Sequence, residues 1–164
     1  MDYLFFGLFL IACACAATTG AMFPTGTWYK GLAKPSWVPP NWVFPVVWGS
    51  LYLLMSFAAA RVVVHMADAP QAAALALAFW AVQISANTLW TPIFFGLRRL
   101  RGALPIMGIL WLAVLGCTIT HFRVDFWAGL AFVPYLVWAT IAAALNWEVA
   151  RLNPGQQPLN PAEL

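Results

Sequence analysis

The sequence predicts an all-α membrane protein, a single bundle of five transmembrane helices. Of its 164 residues, 63% are hydrophobic and only 8% are charged, whereas about a quarter of the residues in a soluble domain are charged. Five stretches contain no Lys, Arg, Asp or Glu, and each exceeds the roughly 20 residues that cross a bilayer. Backbone polar groups in lipid must be paired within their own segment, so stretches of this length are expected to be helical.

The helix boundaries follow from the charged and turn-forming residues between these stretches. We predict helices at about residues 3–22, 42–65, 70–97, 103–122 and 126–151. They form one transmembrane domain over residues 1–151, followed by a flexible tail at 152–164. The first helix is expected to be retained, because Met1-Asp2 lacks the positive start of a signal peptide and the apolar run is too long for one.

The positive charges predict the orientation of the bundle. Six of them fall on one side if the helices alternate: Lys30, Lys34, Arg98, Arg99, Arg101 and Arg151. Only Arg61 and Arg123 fall on the other side. The positive-inside rule then places the N-terminus outside and the first loop and C-terminus in the cytoplasm. This asymmetry and nearby anionic lipid explain the net charge of +3, so no nucleic-acid partner is indicated. An inner and an outer membrane both stay open as alternatives.

The loop between the first two helices is rich in proline and tryptophan. Its prolines favour an extended backbone, and Trp37 and Trp42 supply large apolar plates. We expect this segment to cap the bundle. The alternative is that these tryptophans, with Trp147, anchor the chain at the membrane interface.

The third helix has a polar face and a small-residue face. Gln83, Asn87 and Thr91 recur every four residues at membrane depth, where polar groups turn toward a partner helix or a cavity. Interhelical hydrogen bonding and ligand contact both fit this face. The other face carries four small residues that allow close helix approach: Ala74, Ala78, Ala81 and Ser85. We expect a homodimer interface there, with packing inside the same chain as the alternative.

Aromatic faces on the second and fifth helices complete a predicted pocket for a flat apolar ligand. The second helix contributes Phe44, Trp48 and Tyr52. The fifth contributes Tyr135, Trp138, Ala142, Leu145 and Asn146. With the polar face of the third helix they would form a mostly apolar site with a few placed polar groups.

The charged residues and the histidines restrict which ligand the predicted pocket could bind, and the catalytic motifs that are missing restrict its chemistry. Lys30 and Lys34 at the mouth could pair with the carboxylates of a stacked macrocycle, although either lysine could serve orientation alone. His65 and His121 fall at the opposite membrane edge, so we expect a metal-free porphyrin without an axial protein ligand. The sequence shows no Ser-His-Asp set, HExxH motif or phosphate-binding loop, and the cysteines have no zinc-site spacing. We therefore predict no metal site, no obligatory cofactor and no conventional hydrolytic activity.

Three motifs resemble the TspO/translocator protein family of tryptophan-rich sensory proteins and peripheral-type benzodiazepine receptors. Residues 34–48 read KPSWVPPNWVFPVVW, residues 87–96 read NTLWTPIFFG, and residues 134–138 read PYLVW, with Leu145 and Asn146 further on. The resemblance implies a five-helix bundle, commonly dimeric, that binds porphyrins such as protoporphyrin IX and, in animal members, cholesterol and benzodiazepine or isoquinoline ligands. By position it implies a pocket formed by Trp37, Trp42, Trp48, Tyr52, Asn87, Trp138, Ala142 and Leu145.

The same resemblance implies a receptor, sensor or transporter that regulates tetrapyrrole metabolism or a stress response. Its alternative is an enzyme that degrades porphyrin with light and oxygen, for which Trp138 would be the catalytic residue. One departure concerns sterols, because Trp147 stands where the animal cholesterol motif needs a tyrosine between an aliphatic and a basic residue. We therefore expect weak or no cholesterol binding.

Overall fold

Six α-helices make up most of residues 2–159, the part of the chain that the computed structural model describes. They are α1 (Tyr3–Met22), α2 (Thr27–Gly31), α3 (Val43–Val64), α4 (Pro70–Thr91), α5 (Ala103–Phe122) and α6 (Phe126–Leu152). A π-helical turn, Pro92–Gly96, extends α4. All but α2 are long and apolar enough to cross a membrane, and the described residues contain no strand. The predicted class, an all-α bundle of five membrane-spanning helices, is confirmed.

Local sequence explains where several helices begin. Asp2 caps α1 by accepting a hydrogen bond from the Leu4 backbone N–H at 2.9 Å, and Asp125 caps α6 in the same way through Ala128 at 2.8 Å. Pro70 occupies the first position of α4, where its missing N–H costs nothing. An acidic cap or a proline therefore stands at the start of each of these helices, close to the boundary that the charge pattern predicts.

The membrane-spanning helices form a ring. Helix α1 packs against α3 and α4, α3 packs against α6, and α5 lies between α4 and α6. The short helix α2 lies in the first loop, where the sequence predicted no helix. Its five residues could not sustain a helix alone, so tertiary contacts must hold it.

The half of the bundle away from the first loop, here called the remote half, is filled with small side chains. Its fully or nearly fully buried residues include Ala58, Ala59, Ala60, Val62, Ala73, Ala76, Val114, Cys117 and Ala128. Glycines bring helices even closer there. A Cβ added at Gly116 would lie 2.5 Å from the ring of Phe79, and one at Gly129 would overlap the ring of Phe122. The remote half is therefore solid.

An ion pair joins two helices at the end of the remote half, away from the first loop. The Arg61 guanidinium on α3 binds both carboxylate oxygens of Asp125, with Nε donating to Oδ1 at 2.9 Å. This hydrogen bonding is the main cause that holds the pKa of the Asp125 carboxyl below its ordinary value. The pair joins the end of α3 to the start of α6.

The C-terminal segment is partly described. Helix α6 includes Leu152, and residues 153–159 turn back toward the first loop and the end of the π-helical turn, where the Leu159 N–H donates to the Leu97 carbonyl at 3.0 Å. The predicted flexible tail also covers residues 160–164, which lie outside the described residues.

Candidate ligand-binding cavity

The half of the bundle next to the first loop, the cavity half, encloses a cavity of about 490 Å³. Every membrane-spanning helix contributes to its wall, and most wall residues are aromatic or aliphatic. Binding sites for drug-sized ligands measure about 300–1,000 Å³ and have this apolar character. The bundle therefore contains one half that is packed and one that is open.

Most of the predicted pocket residues meet in this wall. They are Phe44, Trp48 and Tyr52 from α3, Asn87 and Thr91 from α4, and Tyr135, Trp138, Ala142, Leu145 and Asn146 from α6. The aromatic faces of α3 and α6 contact each other directly: the ring centroids of Phe44 and Trp138 are 5.6 Å apart, and those of Trp48 and Tyr135 are 5.9 Å apart. Edge-to-face geometry at these distances stabilises aromatic pairs.

The floor of the cavity is formed by Tyr52, Asn87 and Tyr135, the deepest wall residues of their helices. One turn deeper the core closes, since Met55, Gln83 and Phe132 are each at most 1% exposed. Gln83 thus belongs to the core below the cavity and not to its wall, where its Nε2 donates to Met55 Sδ at 3.5 Å. The prediction placed it in the wall because it shares a helix face with Asn87. It is covered because the buried Met55 side chain packs against it at this level.

The predicted tryptophan cap needs correction. Trp37 and Trp42 are 48% and 68% exposed, and neither lines the cavity. Two tight turns explain this, because the Val38 N–H donates to Pro35 O and the Val43 N–H donates to Pro40 O. Each turn leaves its indole at the surface. Their placement fits the interface-anchor alternative.

A different aromatic group closes the loop side of the cavity. It consists of Phe23, Tyr29, Trp90, Phe94 and Phe95, all of which line the wall. Trp90 stacks on Phe94 with ring centroids 4.9 Å apart, and Tyr29 meets Phe95 edge to face at 5.3 Å. None of these five residues was predicted to line the pocket, although Trp90 and Phe94 lie four residues apart and therefore on one helix face. The π-helical turn that positions the phenylalanines was not foreseen; such turns often occur at functional sites.

The polar wall residues both join helices and face the cavity. Asn87 Nδ2 donates to the Tyr135 hydroxyl at 3.3 Å, which links α4 to α6. Asn146 accepts from Trp90 Nε1 at 2.9 Å and donates to the Leu100 carbonyl at 3.0 Å. Trp138 Nε1 differs, because it is buried and has no hydrogen-bond partner within residues 2–159. A buried donor without a partner is costly, so a ligand that offers an acceptor to this wall indole would remove that cost.

The two predicted carboxylate-pairing lysines lie beside the loop-side closure. Lys34 Nζ sits 4.6 Å from the Tyr29 ring centroid and donates to the carbonyls of Leu32 and Lys30 at 3.1 and 3.3 Å. Lys30 itself is exposed, and neither lysine lines the wall. Burial raises the pKa of the Tyr29 phenol above its ordinary value, so this ring stays neutral at physiological pH.

Neither histidine lines the cavity. His121 is fully buried in the remote half, with Nδ1 2.8 Å from the Cys117 carbonyl, and His65 lies 3.8 Å from Asp125. Across residues 2–159 no group of three or more His, Cys, Asp or Glu side chains could hold a metal ion.

The predicted dimer face is exposed in the isolated chain. It consists of Ala74, Ala78, Ala81 and Ser85. No helix within residues 2–159 covers it, and the Ser85 hydroxyl already donates to the Ala81 carbonyl at 2.8 Å. The homodimer interface stays a prediction.

Comparison with known proteins identifies the family. The model of the TspO/MBR family matches residues 8–152, nearly the whole bundle. The chain belongs to the TspO/MBR family. It is 55% identical to Protein CrtK of Rhodobacter capsulatus over 97% of this chain and 99% of that protein. It is 50% identical to the tryptophan-rich sensory protein of Cereibacter sphaeroides over 93% and 94% of the two chains.

A more distant relative is the human translocator protein, 34% identical over 90% of this chain and 89% of that protein. The family resemblance drawn from the three motifs is therefore confirmed. The chain is a multi-pass integral membrane protein of the sensory and translocator type.

Proposed function

We propose that this protein is a membrane receptor or transporter that binds a flat, apolar tetrapyrrole, such as protoporphyrin IX, in the cavity half. The observation that carries this proposal is the cavity itself: about 490 Å³ of space between aromatic walls contributed by all five membrane-spanning helices. A planar macrocycle gains most from such walls, because it can contact several rings at once by stacking or edge-to-face geometry.

The few polar groups support a ligand with hydrogen-bond acceptors. Trp138 Nε1 offers a buried donor that a ring nitrogen or a carboxylate could accept from. Lys34 lies beside the Tyr29 wall, near enough to the closure for its ammonium to attract a propionate. Other flat apolar molecules, including benzodiazepine-like or isoquinoline compounds, would use the same walls with fewer polar contacts.

The location of the cavity suggests how binding could be sensed. The cavity is closed by the first loop and the π-helical turn, both on the side that carries most of the positive charges. The predicted orientation puts this side in the cytoplasm. A ligand in the cavity would contact the segments that the cytoplasm reaches, so occupancy could be read there as a signal of tetrapyrrole level.

Two tryptophan substitutions, one inside the wall and one outside it, provide the test. Trp138→Phe removes a wall indole and its unpaired donor, whereas Trp37→Phe makes the same change at an exposed indole outside the wall. Titration of purified protein in lipid nanodiscs with protoporphyrin IX should give a Kd about five- to tenfold higher for Trp138→Phe, the size expected for a lost aromatic contact. Trp37→Phe should match the wild type. Equal affinities for all three proteins, or no saturable binding by the wild type, would argue against the proposed site.

A further inference from the structure

We infer that Asn153, the first residue after α6, is a positioning residue of the cavity: it latches the first loop to the end of α6 and so sets how long a ligand stays bound. The inference rests on the proposed function and extends it to a residue outside the wall. Asn153 lies in the segment that was predicted to be a flexible tail.

The latch consists of three hydrogen bonds from one side chain. Asn153 Oδ1 accepts from the Ala33 backbone N–H at 3.0 Å, and Nδ2 donates to the Ala33 carbonyl at 2.9 Å. Nδ2 also donates to the Val149 carbonyl at 2.7 Å, one of the last carbonyls of α6. The side chain therefore pairs with both backbone groups of a residue 120 positions away while it is itself held by α6. Only a carboxamide can donate and accept in this way.

The residues that flank Ala33 connect the latch to the cavity. Leu32 is 8% exposed and belongs to a small core cluster with Val149 and Ala150 of α6. On the other side of Ala33, the Lys34 ammonium binds the Leu32 carbonyl and lies over the ring of Tyr29. Tyr29 is the one residue between Pro24 and Trp42 that lines the cavity wall. Fixing Ala33 thus fixes the ring that closes the cavity on this side.

Apart from the latch, the first loop is held mainly by the apolar cluster that Trp28, Tyr29 and Leu32 form with Phe94. Helix α2 is only five residues long, too short to be stable by itself, and every residue from Pro35 to Trp42 is half-buried or exposed. Losing the latch should therefore loosen the loop without unfolding the bundle, because the apolar clusters that hold the helices together do not include Asn153. The expected consequence is faster ligand release.

The test compares Asn153→Ala and Asn153→Asp with the wild type in nanodiscs. Asn153→Asp keeps the size and the acceptor but cannot donate to Ala33 or Val149. Gln156→Ala is the control, because within residues 2–159 the side-chain amide of Gln156 donates only to the neighbouring Gln157 carbonyl. Stopped-flow displacement of protoporphyrin IX should show dissociation about five- to tenfold faster in both Asn153 variants, the effect expected for losing hydrogen bonds of this kind. Gln156→Ala should release the ligand like the wild type, and all four proteins should melt within a few degrees of one another.

A second measurement separates this inference from the proposed function. Amide hydrogen exchange of the unliganded proteins should be faster at residues 27–34 in both Asn153 variants and unchanged in the five membrane-spanning helices. If the wild type binds no porphyrin, the proposed function fails, and the exchange result still decides whether the latch exists. Unchanged exchange in the loop would overturn the latch. Faster exchange with unchanged porphyrin dissociation would show that the latch holds the loop but does not control the ligand.

Discussion

The two halves of the bundle differ in packing density, although the same five helices form both. In the remote half, alanines and glycines let the helices approach until almost no space is left between them. The Arg61–Asp125 ion pair joins α3 to α6 at its edge. In the cavity half, large aromatic rings hold the helices apart and leave about 490 Å³ between them. Small residues therefore make the rigid part of this protein, and large residues make the open part. The remote half can anchor the helices while the cavity half adapts to a ligand.

The test of this comparison with the largest expected effect on stability replaces one glycine in each half. Gly116→Leu places a side chain where the Phe79 ring already lies, so we expect it to lower the free energy of unfolding by about 1–3 kcal/mol. Gly49→Leu, in the cavity wall, meets nothing within 4 Å of its Cβ and should change stability by less than about 0.5 kcal/mol. Denaturation in detergent micelles measures both. Similar losses at the two positions would contradict the division into halves.

A smaller effect concerns the ion pair of the remote half. Asp125→Asn keeps the cap of α6 but loses the charge, and we expect a stability loss of about 1–2 kcal/mol at pH 7. Because the folded pKa of Asp125 is lowered, its contribution is complete above the ordinary aspartate pKa of about 4 and disappears as the pH falls through the folded value.

The wild type and Asp125→Asn should therefore differ at pH 7, and thermal melting should show the difference shrink as the pH falls below about 4 and vanish once the pH is below the folded pKa. Asp68→Asn is the control, since Asp68 is 81% exposed and contacts only His65 among the charged groups near it. A difference between wild type and Asp125→Asn that stays constant down to low pH would show that the charge is not what stabilises this edge.

The sequence predicted the bundle well because the membrane imposes simple rules on charge and length. The charge-free stretches located the helices, and the four-residue spacing of Asn87 and Thr91 and the aromatic faces of α3 and α6 located most of the wall. These features depend only on helix periodicity, which can be read from a sequence.

The closure of the cavity could not be predicted because it depends on tertiary structure. Whether Trp37 points inward depends on a turn between Pro35 and Val38, and helix α2 exists only because neighbouring segments hold it. Periodicity cannot show that Tyr29 reaches the cavity or that Asn153 reaches Ala33 from 120 residues away. The errors therefore gather in the first loop and the C-terminal segment, where long-range contacts decide the structure.

The most direct test of the ligand-binding cavity is to fill it. Ala142 lines the wall, whereas Ala144, two residues along the same helix, is exposed on another face. Protoporphyrin IX titration in nanodiscs should show saturable binding to the wild type and to Ala144→Trp, and a loss of affinity on the order of a hundredfold in Ala142→Trp, which corresponds to nearly 3 kcal/mol. Wild-type affinity in Ala142→Trp would show that the ligand does not occupy this cavity.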